Sequence, residues 1–248
     1  MSPKKKVFLL SGIFAIFGIS VSVVIIAIGG GFSGPGPSLL NPPTASNLWI
    51  VGQTLHLGTI MNYSLTRVGS HSSPWSSVGE HSSLINSLVS MRFTLDRPTN
   101  NDSWKVLIGV ANRTTTPLMY SKQGMVLLSK QHLTNAGPIN ADFLPYYEPI
   151  ESSILEIRDI ALAPEYLVVG ARWNSITVGI TTIPVSIIAQ EKVNTNSGAF
   201  DTYVLGYTTG SKISRIWIAH DVPLPIKAEV YNSQGELQYK YELVAKKL

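Results

Sequence analysis

A run without a single charge, Val7 to Ile28, follows Lys4, Lys5 and Lys6 and decides where the rest of the chain can fold. As a helix its 22 residues reach roughly 33 Å, enough to cross the ~30 Å hydrocarbon core of a bilayer. The lysines favour a cytoplasmic N-terminus. The expected topology is a tail over 1–6, a transmembrane helix over 7–28, and all later residues on the extracytoplasmic side of the cell membrane. A cleaved signal has a shorter apolar centre, about 7–15 residues, and an A-x-A-like exit. Here the exit reads Ala27-Ile28-Gly29-Gly30-Gly31. Retention as a signal-anchor is the expectation, with cleavage as the alternative.

Within the run, Ser11, Ala15, Gly18 and Ser22 are spaced by four, three and four, which lines them along one side of a helix. Small stripes let membrane helices approach closely and gain van der Waals contact. The stripe is a candidate packing surface for a membrane-protein partner or a second copy. Small residues also line up by chance, and no GxxxG is present.

After the run, 29–47 is dominated by Gly, Pro and Ser, with Asn41-Pro42-Pro43 near its end. It carries no charge and no apolar period, so it reads as a linker, leaving 48–248 as one extracytoplasmic domain large enough for its own core. The net charge of +4 is concentrated near the termini, in Lys4–Lys6 and Lys246–Lys247. No clustered basic face marks a nucleic-acid partner. The chain contains no cysteine. That removes thiol catalysis, iron–sulfur clusters, cysteine-based zinc or blue-copper sites and lipidated cysteine.

The domain reads as mainly β, a β-rich α+β fold. Leu55, Leu57, Thr59, Met61, Tyr63 and Leu65 alternate with His56, Gly58, Asn62 and Ser64, and Val89, Met91, Phe93 and Leu95 alternate with Ser90, Arg92 and Thr94. Such a period of two marks an antiparallel sheet with one buried face. Further strands are predicted at 104–111, 125–128, 166–171, 183–193, 200–208, 213–220, 226–231 and 237–244. Asn232-Ser233-Gln234-Gly235 forms a turn, and Pro223 and Pro225 sit at a strand start. One helix is predicted from a Ser153/Glu156 capping box, with Ile154, Ile157 and Ala161 on one face and Pro164 ending it. The Ser-rich stretch 71–83 reads as a loop.

The C-terminal pieces Gly198-Ala199-Phe200-Asp201-Thr202-Tyr203, Ile216-Trp217-Ile218-Ala219, Val222-Pro223-Leu224-Pro225-Ile226-Lys227-Ala228-Glu229 and Tyr239-Lys240-Tyr241-Glu242-Leu243 together resemble the lipoprotein-carrier (LolA-like) superfamily and related membrane-anchored archaeal proteins of unknown function. The resemblance covers about a fifth of the chain. It implies a curved antiparallel sheet or half-barrel wrapped around one or two helices, with an apolar concave face that holds acyl chains. A retained anchor departs from the carriers and argues against shuttling.

Candidate chemistry is sparse. Among His56, His71, His81, His132 and His220, no two have the spacing of a metal pair on one element. His71 and His81 could converge on a cation with Glu80, although a solvated loop explains them as well. No Gly-x-Ser-x-Gly elbow and no phosphate loop is present. Glu148, Glu151, Glu156 and Asp159 read as a solvated face around the helix. No cofactor, metal or catalytic residue is therefore assigned, and the chain reads as non-catalytic. Trp173 and Trp217 are either core residues or the lining of a hydrophobic-ligand cavity. Asn62, Asn101 and Asn112 head glycosylation sequons, a pattern that also arises by chance in a chain this rich in Asn, Ser and Thr. The leading expectation is a single-span protein binding lipid or another hydrophobic ligand. The alternative is an accessory or structural subunit of a membrane or cell-envelope complex.

Overall fold

Alternation along each strand sorts the side chains into one apolar and one polar face. In β1 (Leu48–Trp49), β2 (Ile60–Arg67) and β3 (Ser87–Leu95) the buried set includes Trp49, Met61, Tyr63, Leu65, Val89, Met91 and Phe93. The computed structural model describes residues 44–67, 86–95, 102–112, 122–178 and 181–248. The strands continue as β4 (Ser103–Asn112), β5 (Lys122–Ser129), β6 (Glu165–Tyr166), β7 (Arg172–Val178), β8 (Thr181–Thr195), β9 (Gly198–Thr208), β10 (Ile213–Ile218), β11 (Lys227–Tyr231) and β12 (Leu237–Lys247).

Ten of these form one antiparallel sheet in the order β5-β4-β3-β2-β12-β11-β10-β9-β8-β7, and β1 pairs separately with β6. Two meanders thus meet where the first long strand, β2, lies against the last, β12. Register aligns the apolar residues across strands. Leu65, Tyr241, Ala228, Ile216, Leu205 and Ile187 oppose one another in one continuous row.

That apolar face is covered by α1 (Leu144–Glu151) and α2 (Ile157–Ile160), which lie between the two meanders in sequence. Phe143, Tyr147, Ile150, Ile154, Leu155, Ile157 and Ile160 are all buried in the same cluster as the sheet residues. Phe143 stands directly over β5, where a Cβ placed on Gly124 would come within 2.1 Å of the ring. Strand glycine here makes room for a side chain arriving from another layer.

Several expectations are corrected. Residues 55–59 are turn rather than strand, since Gly58 has φ of 91° and Leu55 N–H bonds back to Gly52 O at 3.0 Å. The stretch 166–171 yields only the end of β6 before a turn closed by Gly170 at φ 90°. The predicted helix start fails as well. Ser153 Oγ donates back to Pro149 O at 2.5 Å instead of capping a new helix, so it closes the end of α1. Pro145 does not prevent α1, because it sits in the opening turn, where no donor is needed, while Pro149 lies inside the helix. The last residues assigned to the linker, Ala45–Asn47, form a 3-10 turn held by Asn47 N–H to Thr44 O at 3.0 Å. Segment 7–28, its stripe Ser11, Ala15, Gly18 and Ser22, and linker residues 29–43 lie outside the described residues. Among the described residues no helix is long and apolar enough to cross a membrane.

Replacing Gly124 by Ala forces a methyl group into the Phe143 ring. The expected cost is about 2 kcal/mol, within the range for overpacked cores, measured as a lower urea midpoint with an unchanged slope.

Candidate functional site

Polar groups cluster where the helical segment meets the sheet. Arg158, on α2, is buried because its position follows the apolar spacing of Ile154, Leu155 and Ile157 rather than the solvent face. Its guanidinium pairs with Glu151 Oε1 at the end of α1 and donates from Nη1 to Leu133 O at 2.8 Å. Leu133 itself has φ of 53°, a left-handed backbone that a branched residue adopts only when its surroundings impose it. Asn135 joins the network, donating to Glu151 Oε1 at 3.0 Å and accepting from the Tyr147 hydroxyl at 2.5 Å. Burial, reinforced by the Glu151 charge, pushes the Tyr147 hydroxyl up to about 12, so it serves as a donor.

The second group centres on Glu156, in the turn between the helices. Its Oε2 accepts a hydrogen bond from the Tyr239 hydroxyl of β12. Burial is the main cause that pushes its carboxyl up to about 8; Asp159 adds to the rise and Arg67 opposes it. Arg67 donates to Ser152 Oγ at 2.8 Å, tying the end of β2 to the same turn. Tyr207 and Tyr241 lie on the sheet side with hydroxyls held well above their usual range, chiefly by burial.

This cluster brings the acid and donor groups of a proton-transfer site together where the helical segment meets the sheet. One hollow, about 200 Å³, is lined by Ile183, Pro184, Ser186, Ile188, Gly206 and Ile213 among others. The other, about 340 Å³, is lined by Ser64, Thr66, Asn86, Lys227, Glu229, Lys240, Tyr241 and Glu242. Neither is lined by Glu156, Arg158 or Glu151. The cluster's hydrogen bonds fasten the helical segment to β2 and β12.

The residues singled out from sequence are dispersed. Trp173 stacks on Trp49 with centroids 5.9 Å apart and donates to Tyr166 O at 3.1 Å, inside the core. Trp217 alternates with Ile216 and Ile218 and therefore lies on the opposite face of the sheet, against Glu191 Oε1 and under Lys227 Nζ at 4.7 Å. The two tryptophans do not share a cavity. Asn62 sits in the middle of β2 on the polar face, with its Oδ1 buried and unpaired. Asn112 ends β4, and Asn101 lies outside the described residues, as do His71, Glu80 and His81. His56, His132 and His220 are scattered, and among the described residues no three potential metal ligands converge. The acids around the helix are not a uniform solvated face. Only Glu148 is exposed, while Glu151, Glu156 and Asp159 are partly withdrawn from solvent. The available signal was Arg158 set among isoleucines.

No protein-family model and no curated protein matches the chain. Solved structures match it over most of its length at low similarity. An exported protein with a YmcC-like fold from Bacteroides fragilis shares 12% identity over 81% of this chain and 99% of its own, with a TM-score of 0.33. A lipoprotein from Parabacteroides distasonis gives 13%, 80%, 99% and 0.34. The MucA/MucB complex of Pseudomonas aeruginosa gives 9%, 77%, 51% and 0.36. These values record a distant likeness and do not place the chain in a family.

Two outcomes test the fasteners. Arg158→Ala leaves Glu151 and the Leu133 carbonyl without their cation, and the expected loss is about 3 kcal/mol of unfolding free energy. Glu156 has a folded-state value above its ordinary 4.5, so its stabilisation is complete below about pH 4.5 and is lost as pH rises through about 8. Glu165, pushed up to about 7 by burial, acts in the same direction. The scale is about 1.4 kcal/mol per unit, reduced by the partial solvent access of the Glu156 side chain. Chemical denaturation between pH 5 and pH 9 is expected to show falling stability, and Glu156→Gln to flatten the fall.

Proposed function

We propose that this chain is a single-span, membrane-anchored protein whose β-rich domain lies outside the cytoplasm and works by binding a protein partner, as an accessory subunit of a membrane or envelope complex. One observation carries the choice over internal lipid binding. The apolar face of the ten-stranded sheet is already filled by the chain's own Phe143, Tyr147, Ile150, Ile154 and Leu155, all buried. A carrier needs that face for its cargo. The described hollows are at or below the lower end of the range for ligand pockets, about 300–1,000 Å³, and the larger one is lined mainly by charged and hydroxyl groups. The lysine-flanked apolar run supports the anchor and its direction.

A second reading, a small hydrophobic ligand, draws on the 200 Å³ hollow beside the exposed Ile188 and Ile213. That volume suits part of an acyl chain rather than a whole lipid.

Native mass spectrometry of the full chain, extracted gently from its own membranes, separates the two. The expected species is a stoichiometric assembly with another protein, weakened when Ala15 and Gly18 are both changed to Leu. A mass equal to the chain plus one discrete lipid, with no protein partner, would overturn the proposal in favour of the ligand reading.

A further inference from the structure

The charges of the sheet are segregated, and the segregation coincides with an exposed apolar row. Strands β2, β3, β4 and β5 contain no aspartate or glutamate, whereas Glu191, Asp201, Glu229 and Glu242 fall on β8, β9, β11 and β12. On the face opposite the helices, register places Lys247, Ile60, Arg92, Leu107 and Met125 side by side across five adjacent strands. The neighbouring row adds Thr94, Lys105 and Leu127. At about 4.8 Å between strands the first row is roughly 19 Å wide. Leu107 and Met125 are 41% and 50% exposed. Directly paired large apolar residues facing solvent, flanked by cations and without a carboxylate in either row, make an amphipathic surface rather than a solvated one.

We propose that this face of β2–β5, with the end of β12 beside it, rests on a bilayer surface bearing anionic headgroups. Arg92, Lys105 and Lys247 supply the attraction, each on the order of a fivefold gain in partitioning near such a surface. Leu107 and Met125 enter the headgroup boundary, as the apolar side of interfacial elements does. The apolar pair decides against a nucleic acid, whose phosphates would leave both side chains unmatched. The proposal rests on the anchored reading for its geometry. Residues 29–43 join the expected span to the described domain, a number of residues sufficient in reach to let one face lie against the membrane.

The absence of native cysteine permits a single label. Full-length Met125→Cys, carrying an environment-sensitive fluorophore, is reconstituted into phosphatidylcholine vesicles with and without phosphatidylglycerol. The expected result is a blue-shifted emission only with the anionic lipid, reversed at about 1 M salt, where screening acts over about 3 Å. Arg92→Glu with Lys105→Glu is expected to weaken the shift at least tenfold, and a label at Gln190→Cys on β8 to stay unshifted. Identical emission in both lipids, or a shift that survives the charge reversals with the fold intact by circular dichroism, would overturn the proposal. Flotation with neutral vesicles reads the anchor separately. If the chain fails to float there, the anchored reading falls, and selective flotation with anionic vesicles still decides for or against the surface.

Discussion

Everything in this fold depends on β2 pairing with β12. Each strand on its own belongs to a meander of local hairpins, one running outward to β5 and the other to β7. Only the β2–β12 ladder merges the two into a single surface wide enough to hold a helical layer. Its interior is aromatic. Tyr63 and Tyr241 meet edge to face at 5.6 Å, and Tyr239 stacks on Tyr241 at 6.2 Å. The Tyr63 hydroxyl reaches across to Pro225 O at 3.0 Å, so the joint also fixes the approach to β11. Because the partners come from opposite ends of the domain, loop-closure entropy must be met before this ladder contributes. The joint therefore raises the share of long-range contacts in the fold and slows its assembly.

The helical segment is held to that joint by polar contacts as much as by packing. Buried polar groups cost free energy unless satisfied, and here partners come from several separate elements. Glu156 receives Tyr239 from β12, Ser152 receives Arg67 from β2, and Arg158 ties α2 to α1 and to the Leu133 turn. An all-apolar segment of this length could slide over the sheet. Directional bonds at three points specify one placement, which is the role buried polar networks perform when they are paired. Burial raises the Glu156 carboxyl to about 8, so its contact with Tyr239 depends less on full charge than the Arg158–Glu151 pair does.

The strands with strict alternation were legible from residues alone. β3, β4, β9, β11 and β12 lie close to where the period of two puts them, because one face is fully buried and register is then strongly specified. Where the sequence misled, a backbone feature intervened. Gly58 and Gly170 take positive φ and turn the chain where apolar residues suggested continued strand. The helix was misplaced because Ser153, a good cap by type, bonds backward to Pro149 O. The fasteners were invisible for a different reason. Glu156 and Tyr239 are 83 positions apart, and no local pattern relates them. Trp217 shows the same limit in miniature. Ile216-Trp217-Ile218 fixes that the tryptophan faces away from its neighbours but not which face is the core.

A closed apolar face changes what the rest of the domain can offer. With its apolar side occupied by Phe143 through Ile160, the sheet presents to its surroundings only its other surface and its margins. That surface is not uniform. Toward β8–β12, cations meet carboxylates, as in Lys227 with Glu229 at 3.1 Å, a pattern that neutralises itself. Toward β5 the carboxylates disappear while leucine, methionine and cations remain. Self-neutralised charge suits contact with water, and unneutralised charge beside apolar side chains suits contact with something else. The division runs across one continuous sheet, so the same pleat that builds the core also sets which half of its reverse side is left to bind.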